Sequence, residues 1–427
     1  MELRSGYKLT DVGVIPVDWE TPLLDSVAKR GSGHTPDKAH PEYWGGSIKW
    51  ISLQDTSRLD QLYIYDTAAK ITLAGIANSS AKMHAAGTVV MTRDAGVGKS
   101  AIMADDMAVS QHFMAWACGS LLNNHYLYYW LQARKSEFER IAMGNTIKTI
   151  GLPYFKKLTI PLPTKVEQEA IAEVLSNADA LIESLDQLIA KKRHIKQGTM
   201  QELLTGKRRL PGFERKKGYK RTDAGIIAED WILADAGSIG RFKGGCGFPI
   251  VYQGSISGEY PFFKVSDMNN EGNESLMETA NNYISEPIRR RLGAYAFPAK
   301  TIVFAKVGAA VFLERKKILT RPSCIDNNMA GYILSADGVD HRYIHFFMLN
   351  FRLGSLVSTT ALPSLSGSVL NAIKIPLPPT KAEQETIAGI LSDMGAEIAA
   401  LESKLAKTRQ IKQGMMHNLL TGRIRLV

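Results

Sequence analysis

Apolar residues recur at alternating intervals of four and three along two separate segments of the chain. Charged residues flank both stripes. This spacing is typical of the narrow seam of a coiled coil, and it predicts two long helices over residues 165–205 and 381–421. The predicted seam residues are Ile171, Leu175, Ala178, Ile182, Leu185 and Ile189 in the first helix, and Ile387, Leu391, Met394, Ile398, Leu401 and Leu405 in the second.

Residues on either side of each stripe mark the helix ends. Thr164 and Thr380 each stand three residues before a glutamate, which fits a capping box. Gly206 and Gly422 stand where a left-handed glycine would end a helix. Because a helix with one apolar seam needs a partner, we expect the two helices to pair antiparallel within the chain. The alternative is that each helix packs only on its own domain.

Both helices belong to a longer internal repeat. "GYKLTDVGVIPVDW" at residues 6–19 returns as "GYKRTDAGIIAEDW" at 218–231, and "IPLPTKVEQEAIAEVLS" returns as "IPLPPTKAEQETIAGILS". The stretches between these motifs, residues 20–157 (body 1) and 232–372 (body 2), share few letters. A period this long excludes a solenoid and indicates a duplicated domain plus helix. The predicted regions are an N-terminal domain (1–157), a central helical region (158–217), a C-terminal domain (218–372) and a C-terminal helical region (373–427).

The two bodies share a hydrophobic pattern. "GTVVMTRDAGVGKSAIM" (residues 87–103) and "KTIVFAKVGAAVFLE" (residues 300–314) each predict an apolar strand, a basic residue, a Gly-containing turn and a second strand. "HYLYYWLQAR" and "HRYIHFFMLNFRL" predict helices with an apolar face. The predicted fold class is therefore α/β (mixed α+β). Two globular domains are joined by two long helices that pair as an antiparallel coiled coil, with internal pseudo-two-fold symmetry.

Composition adds a local excess of positive charge. The 427 residues carry a net charge of +10, and residues 191–221 contain twelve Lys or Arg but only two acidic residues. This excess favours a polyanion or an acidic partner protein; a solvated linker is the alternative. The sequence has no long apolar span and no secretory signal, and its three cysteines are scattered, so we expect a cytoplasmic protein with reduced thiols and no membrane partner.

Catalytic motifs are missing from the sequence. "RDAGVGKS" ends like a phosphate-binding loop, but Arg93 stands in place of its first glycine. No Asn-Pro-Pro-aromatic or Asp-Pro-Pro-aromatic run exists for amino-methyl transfer, and His341 and His345 lack the intervening glutamate of a zinc protease. We therefore expect recognition bodies without catalytic residues, without a metal site and without a cofactor bound by this chain.

Together, the duplicated motifs resemble the specificity subunit of type I restriction–modification enzymes over almost the whole chain. The resemblance rests on the paired "GYK.TD.G.I..DW", "IPLP…EQE.IA..LS" and "IKQG.M..LLTG" segments around two unlike bodies. It implies two target recognition domains, each of which reads one half of a bipartite, asymmetric site on double-stranded DNA. It also implies that the coiled coil sets the spacer and docks two modification (methyltransferase) subunits.

The same resemblance implies that this chain is not an enzyme by itself. Modification subunits would methylate adenine N6, and restriction subunits would translocate and cleave DNA. Those partners would use S-adenosylmethionine, ATP and Mg²⁺. Two alternatives stay open: a two-headed architectural protein that bridges DNA, and a stand-alone nuclease or methyltransferase with an unfamiliar site.

Base recognition needs cationic, amide and hydroxyl side chains presented from strands, turns or helix ends. "NTIKTIG" and "TALPSLSG" stand at similar distances before the IPLP segments, where the resemblance implies a hydroxyl-rich turn. The candidate DNA-binding residues are Arg93, Lys99, Ser100, Gln111, Lys148 and Thr149 in body 1, and Lys264, Lys306, Asn327, Asn328, Ser364 and Ser366 in body 2.

Overall fold

The chain forms two compact units in a computed structural model that describes residues 5–144, 148–214, 216–335, 337–357 and 363–427. Unit 1 comprises Met1–Gln187 and Glu402–Val427, and unit 2 comprises Leu188–Leu401. Each long helix therefore begins in one unit and ends in the other. The domain boundaries proposed at residues 157, 217 and 372 were placed by the sequence repeat, whereas the two units are defined by their compact packing. These boundaries stay a prediction.

Unit 1 is a mixed α/β unit with two main sheets, ordered β3-β11-β8-β9-β5 and β6-β4-β10-β7, and a separate β1-β2 hairpin. The strands are β1 (Tyr7–Thr10), β2 (Gly13–Pro16), β3 (Ala28–Gly31), β4 (Trp44–Ile51), β5 (Tyr63–Ile64), β6 (Ala69–Ile71), β7 (Met83–His84), β8 (Val89–Thr92), β9 (Ser100–Met103), β10 (Met107–Val109) and β11 (Phe113–Cys118). The helices are α1 (Leu24–Val27), α2 (Leu73–Ala77), α3 (Asn124–Ala133), α4 (Lys135–Ile141), α5 (Leu152–Lys156) and the first part of α6 (Lys165–Leu203).

Unit 2 repeats this plan with other residues. Its main sheet, β15-β22-β19-β20-β17, has the strand order of the five-stranded sheet in unit 1, and smaller sheets are β18-β16-β21, β14-β23 and β12-β13. The strands are β12 (Tyr219–Thr222), β13 (Gly225–Ala228), β14 (Ile232–Asp235), β15 (Gly240–Gly244), β16 (Tyr260–Phe263), β17 (Leu276–Met277), β18 (Tyr283–Ile284), β19 (Ile302–Ala305), β20 (Lys316–Leu319), β21 (Cys324–Ile325), β22 (Met329–Leu334) and β23 (Lys374–Leu377). The helices are α7 (Ala236–Ile239), α8 (Glu286–Arg291), α9 (His341–Asn350), α10 (Gly367–Asn371) and the first part of α11 (Lys381–Leu419).

The equal topology is accompanied by equal burial of the corresponding strands in the two bodies. Strands β8 and β9 are buried at every position, and so are β19 and β20. The predicted strand–turn–strand unit is confirmed in body 1 as β8 and β9. In body 2, the first strand is β19, but the second strand, β20, begins later than predicted. There, Ala309–Leu313 is a 3-10 helix, and Glu314 adopts a left-handed conformation that interrupts an extended chain before β20 begins.

Within unit 1, the first part of α6 lies antiparallel to the last part of α11. Asp179 pairs with Lys412 at 2.5 Å, and Asp186 pairs with Arg409 at 2.8 Å, so residue numbers rise along one helix as they fall along the other. Within unit 2, Lys192 of α6 likewise pairs with Glu397 of α11 at 2.7 Å. The predicted fold class, with two α/β bodies and two long helices that pair antiparallel, is confirmed.

The predicted seam is mostly buried, but it packs against more than the other helix. Ile171 and Leu175 lie in the core of body 1, and Ile387 and Leu391 lie in the core of body 2. At its start, each helix therefore packs on its own domain, which was the alternative considered from the sequence. Farther along, the two helices pair with each other. Eight seam residues are buried, namely Ile171, Leu175, Leu185, Ile189, Ile387, Leu391, Ile398 and Leu405, while Ala178, Ile182, Met394 and Leu401 are half-buried.

Each helix ends slightly before the predicted residue. α6 ends at Leu203 and α11 at Leu419, two residues short of the predicted 205 and 421. Gly206 and Gly422 adopt φ values of 69° and 66°, as expected for a glycine that follows a helix. Beyond the predicted seam, Ile195 of α6 is 46% exposed.

In unit 1, the duplicated motifs build a junction with the C-terminal tail. Arg425 donates to Asp18 and Glu167 at 2.8 Å, and its guanidinium lies 5.7 Å from the ring centre of Trp19. Trp19 Nε1 donates to the buried Glu167 at 3.1 Å. The glutamate of the predicted capping box is thus engaged by the tail, while the Thr164 hydroxyl accepts from its N–H. The Arg425 hydrogen bond lowers the pKa of the Asp18 carboxyl.

Unit 2 contains the same junction, formed by the residues that follow α6. Arg209 pairs with Asp230 at 2.5 Å and with Glu383 at 3.1 Å, and it lies 5.9 Å from the ring centre of Trp231. Burial raises the pKa of Glu383, and the Arg209 charge opposes this shift. In each unit, the motif that ends in Asp-Trp therefore binds an arginine from the segment that follows the helix that began in the other unit.

We expect Gly422→Ala to lower the free energy of unfolding by about 2 kcal/mol or more, because a side chain at positive φ is strained and its Cβ would meet Pro16 and Trp19. Gly414→Ala is the matched control. Gly414 lies within α11 with open space around an added Cβ, so this change should stabilise the protein by about 0.5–1 kcal/mol. Urea denaturation of both variants measures the difference, and equal shifts in one direction would refute the proposed role of Gly422.

Candidate nucleic-acid interface

Three chain segments of body 1 converge beside Arg93, which directly follows β8. The Arg93 N–H donates to the carbonyl of His112 at 2.9 Å, and the Ile150 N–H donates to the carbonyl of Arg93 at 2.8 Å. An isolated bridge joins the neighbouring residues Asp94 and Thr149. The end of β8, the turn before β11 and the segment before α5 are thereby fixed together.

Body 2 forms the same backbone frame around Lys306, which follows β19. The Lys306 N–H donates to the carbonyl of Asn328 at 2.8 Å, and the Leu365 N–H donates to the carbonyl of Lys306 at 2.9 Å. A bridge joins Val307 and Ser364. Arg93 and Lys306 therefore occupy equivalent positions, although the surrounding letters differ.

Side chains at these frames are those expected of a surface that recognises bases. Each frame carries one or two cationic residues, one or two amides and a hydroxyl, which together can contact phosphates and base edges. We name each frame with its side chains a recognition edge. Edge 1 comprises Arg93, Gln111, His112, Lys148 and Thr149, and edge 2 comprises Lys306, Asn327, Asn328 and Ser364.

Exposure supports this placement. Gln111 and Lys148 in edge 1, and both asparagines and Ser364 in edge 2, are exposed. Arg93 is half-buried, and within the described part of the chain its Nε atom has no hydrogen-bond partner. Lys306 is half-buried, and its ammonium group lies close to Gly244. A Cβ atom added at Gly244 would lie 2.6 Å from Lys306 Nζ. A bulkier residue at Gly244 would displace that ammonium group.

Sequence reasoning missed the residues that orient edge 1. His112 Nδ1 lies 2.9 Å from both carboxylate oxygens of Asp94, and His112 Nε2 lies 3.4 Å from the Gln111 amide nitrogen. The Thr35 hydroxyl donates to Gln111 Oε1 at 2.7 Å. His112 and Asp94 could have been found from the sequence, because they directly follow the predicted residues Gln111 and Arg93. No spacing rule links Thr35 to them.

Two predicted DNA-binding residues of body 1 have their side-chain contacts within the body. Ser100 is fully buried in β9, and its hydroxyl accepts from the Gln132 amide at 2.9 Å, so the structure argues against a DNA contact there. The ammonium group of Lys99 donates to the carbonyl of Thr56 at 3.2 Å. Both residues follow a polar turn in the sequence, and the strand that begins at Ser100 turns the hydroxyl into the core.

In body 2, two other candidates have local structural contacts. Lys264 follows β16, which pairs with β21, and its Nζ donates to Gln253 Oε1 at 3.2 Å. Asp326, which follows β21, is buried, and burial raises the pKa of its carboxyl. Ser366 caps α10, since its hydroxyl accepts from the Val369 N–H at 3.3 Å. Residues 145–147 and 360–362 of the two predicted hydroxyl-rich turns lie outside the described residues.

Part of the basic segment at residues 191–221 is used inside unit 2. Lys192 pairs with Glu397, and Arg209 forms the buried junction. Lys196 Nζ lies 5.7 Å from the ring centre of Phe346, and burial lowers its pKa. The excess charge seen in the sequence is therefore not all available to a polyanion.

Neither a metal cluster nor a membrane span stands out in the part of the chain that the structure describes. No group of three or more His, Cys, Asp or Glu side chains there could hold a metal ion. None of the helices there is both long and apolar enough to cross a bilayer.

Known proteins share this architecture and these motifs. The family described as "Type I restriction modification DNA specificity domain" matches residues 16–192 and 253–412, which are most of the chain and include body 1 and most of body 2. The chain belongs to this family of type I specificity subunits. The duplicated match agrees with the internal repeat, since each copy contains all or most of one body and most of the long helix that follows it.

Relatives resemble this specificity subunit over all or part of its length. The specificity subunit of the type I restriction enzyme MjaIX from Methanocaldococcus jannaschii is 25% identical over 99% of this chain and 97% of its own. The EcoR124I/EcoR124II specificity subunit of Escherichia coli is 27% identical over 42% of this chain and 45% of its own. Both names agree with the resemblance noted in the sequence.

Solved structures share the fold. The crystal structure of a type I S subunit from M. genitalium has a TM-score of 0.58 and 16% identity, with 98% of each chain covered. A second chain, from a study of complex assembly and conformational transition in the type I R-M system, has a TM-score of 0.57 and 16% identity. The match covers 96% of this specificity subunit and 99% of that chain.

Proposed function

We propose that this specificity subunit reads a bipartite, asymmetric sequence in double-stranded DNA, with one recognition edge for each half-site. The observation that carries the proposal is the repeated frame around Arg93 and Lys306, which presents different side chains from the same backbone arrangement. The same backbone frame positions the DNA-contacting side chains equivalently in the two bodies. Because these side chains differ, they select different bases. The resulting site need not be palindromic, whereas a symmetric homodimer favours a palindrome.

In this proposal, the paired helices set the number of base pairs between the half-sites. The support is that α6 and α11 each run from one unit into the other and lie antiparallel within both. The helices also offer docking surfaces for two modification subunits. Exposed basic residues of the linker, such as Lys216 and Lys217, are available for phosphates or for an acidic face of a partner.

Chemistry belongs to partner subunits in this proposal. Modification subunits transfer a methyl group from S-adenosylmethionine to adenine N6, and restriction subunits use ATP and Mg²⁺ to translocate and cleave DNA. The specificity subunit supplies sequence recognition and spacing. Support comes from the family match and from a sequence that has no Asn-Pro-Pro-aromatic or Asp-Pro-Pro-aromatic run for amino-methyl transfer.

Separate changes to the two edges test the proposal. Arg93→Ala should weaken or relax one half-site by at least about fivefold and leave the other unchanged, because a base contact contributes about 1–3 kcal/mol. Lys306→Ala should affect only the other half-site. The buried Ser100→Ala is the control, with an unchanged motif expected. Each variant is co-expressed with the modification subunits, and methylated adenines are mapped genome-wide; relaxation of both half-sites by either edge variant would refute the assignment.

A further inference from the structure

Gln111 has an unusually restricted side chain for an exposed amide. It lies in edge 1, in the turn immediately before β11, beside Arg93 and Thr149. A free glutamine can rotate its amide and offer either atom to a ligand. Here, hydrogen bonds on both sides of the amide decide which atom points where.

The orientation starts at Asp94. A carboxylate only accepts hydrogen bonds, so the proton between Asp94 and His112 lies on His112 Nδ1. In the neutral ring, His112 Nε2 is then an acceptor, and it lies 3.4 Å from the amide nitrogen of Gln111. The Asp94 side chain is 13% exposed and that of His112 is 33% exposed, so this pair is partly shielded from solvent.

Thr35 fixes the other side of the amide. Its hydroxyl donates to Gln111 Oε1 at 2.7 Å. One N–H of the amide is thus directed at His112, and one lone pair of Oε1 is occupied by Thr35. What remains is one N–H and one Oε1 lone pair, a donor and an acceptor side by side on an exposed group.

We propose that Gln111 reads an A·T base pair of the first half-site from the major groove, an inference that rests on the proposed function. Gln111 Oε1 accepts from adenine N6–H, and Gln111 Nε2 donates to adenine N7. Adenine presents a donor beside an acceptor on one base, whereas guanine presents two acceptors at those places. Thr35, His112 and Asp94 are positioning residues that keep the amide from turning over.

The first test maps methylated adenines in cells that express the full chain with its modification subunits. Gln111→Ala should make a single A·T position of one half-site degenerate, with preference lost roughly tenfold. The other half-site and the spacer stay unchanged. Asn327→Ala, at the corresponding turn of body 2, is the matched control and should alter only the other half-site.

Positioning has its own readout. Thr35→Val and His112→Phe leave Gln111 in place but remove its partners, so both should relax the same A·T position, by less than Gln111→Ala does. If Thr35 and His112 had only a structural role, the two substitutions would instead lower the unfolding temperature and weaken the base preference at all positions of the motif. Such a uniform loss would overturn the positioning argument.

If Gln111→Ala abolishes methylation, binding to chemically modified DNA duplexes tests the inference instead. Each adenine of the half-site is replaced in turn by 7-deazaadenine, which lacks the N7 acceptor. At one position this should weaken binding by the wild-type complex roughly tenfold and leave binding by the Gln111→Ala complex unchanged. The inference fails if no adenine behaves so, or if the position relaxed by Gln111→Ala is a G·C pair. The proposed function fails separately if the wild-type chain directs no bipartite motif.

Discussion

Replacing Arg209 by alanine should lower the free energy of unfolding by about 3–5 kcal/mol, because it leaves a buried carboxylate without its counter-charge. The side chains of Arg209, Asp230 and Glu383 are 10%, 5% and 1% exposed, so water cannot replace the lost partner. Chemical denaturation of the purified chain, followed by tryptophan fluorescence, measures the loss. The neighbouring Arg208→Ala is the matched control, since Arg208 is 54% exposed and lies 3.8 Å from Glu202.

The loss in Arg209→Ala should also depend on pH. Burial already raises the pKa of Glu383, and removal of the Arg209 charge raises it further. The folded variant therefore binds a proton more readily than its unfolded chain, and its deficit relative to wild type should shrink as pH falls from 7 towards 5. Arg209→Ala combined with Glu383→Gln should recover part of the stability at pH 7. Equal stabilities for Arg209→Ala and Arg208→Ala would contradict the buried junction.

Lengthening both long helices by four residues, after Ser184 in α6 and after Ala400 in α11, should lengthen the spacer and preserve both half-sites. Four residues add about 6 Å to a helix, which is close to two base pairs at about 3.4 Å each. Four residues also exceed one helical turn only slightly, so the apolar stripe still faces its partner. Methylated-adenine mapping of the variant gives the new motif directly.

Two further variants control this experiment. Substitutions at Ser184 and Ala400 without insertion should leave the spacer unchanged. Insertion into α6 alone should lower stability, because the ion pair of Asp179 with Lys412, before the insertion, and that of Lys192 with Glu397, after it, can no longer form in one register. A spacer of unchanged length in the double insertion would contradict the proposal that the helices set the separation.

Much of the fold followed from the sequence, because it rests on local patterns and on duplication. Alternating intervals of four and three predicted α6 and α11 within two residues of their ends. The arginine junctions were not predicted, although their letters were visible. Asp18, Glu167 and Arg425 each have a counterpart in the second copy, but only the folded chain brings such distant residues together. Periodicity predicted that the two helices pair, but it carries no information about which polar side chains meet at their ends.

The candidate interface was predicted less completely, for a related reason. Residue type alone selected Arg93, Gln111 and Thr149, and the structure places them on one edge. It equally selected Ser100, which the strand turns into the core. Hydroxyl and basic side chains suit both a DNA surface and an internal hydrogen bond, and burial decides between these uses. Orientation by Thr35 required tertiary structure, since that residue lies on another loop.

Genome-wide mapping of methylated adenines, with the wild-type chain and its modification subunits expressed in a host that lacks such a system, tests the central claim most directly. The account predicts one motif made of two unlike half-sites, separated by a fixed run of unspecified bases. An uninterrupted site, a palindromic site, or methylation that is independent of this chain would contradict it.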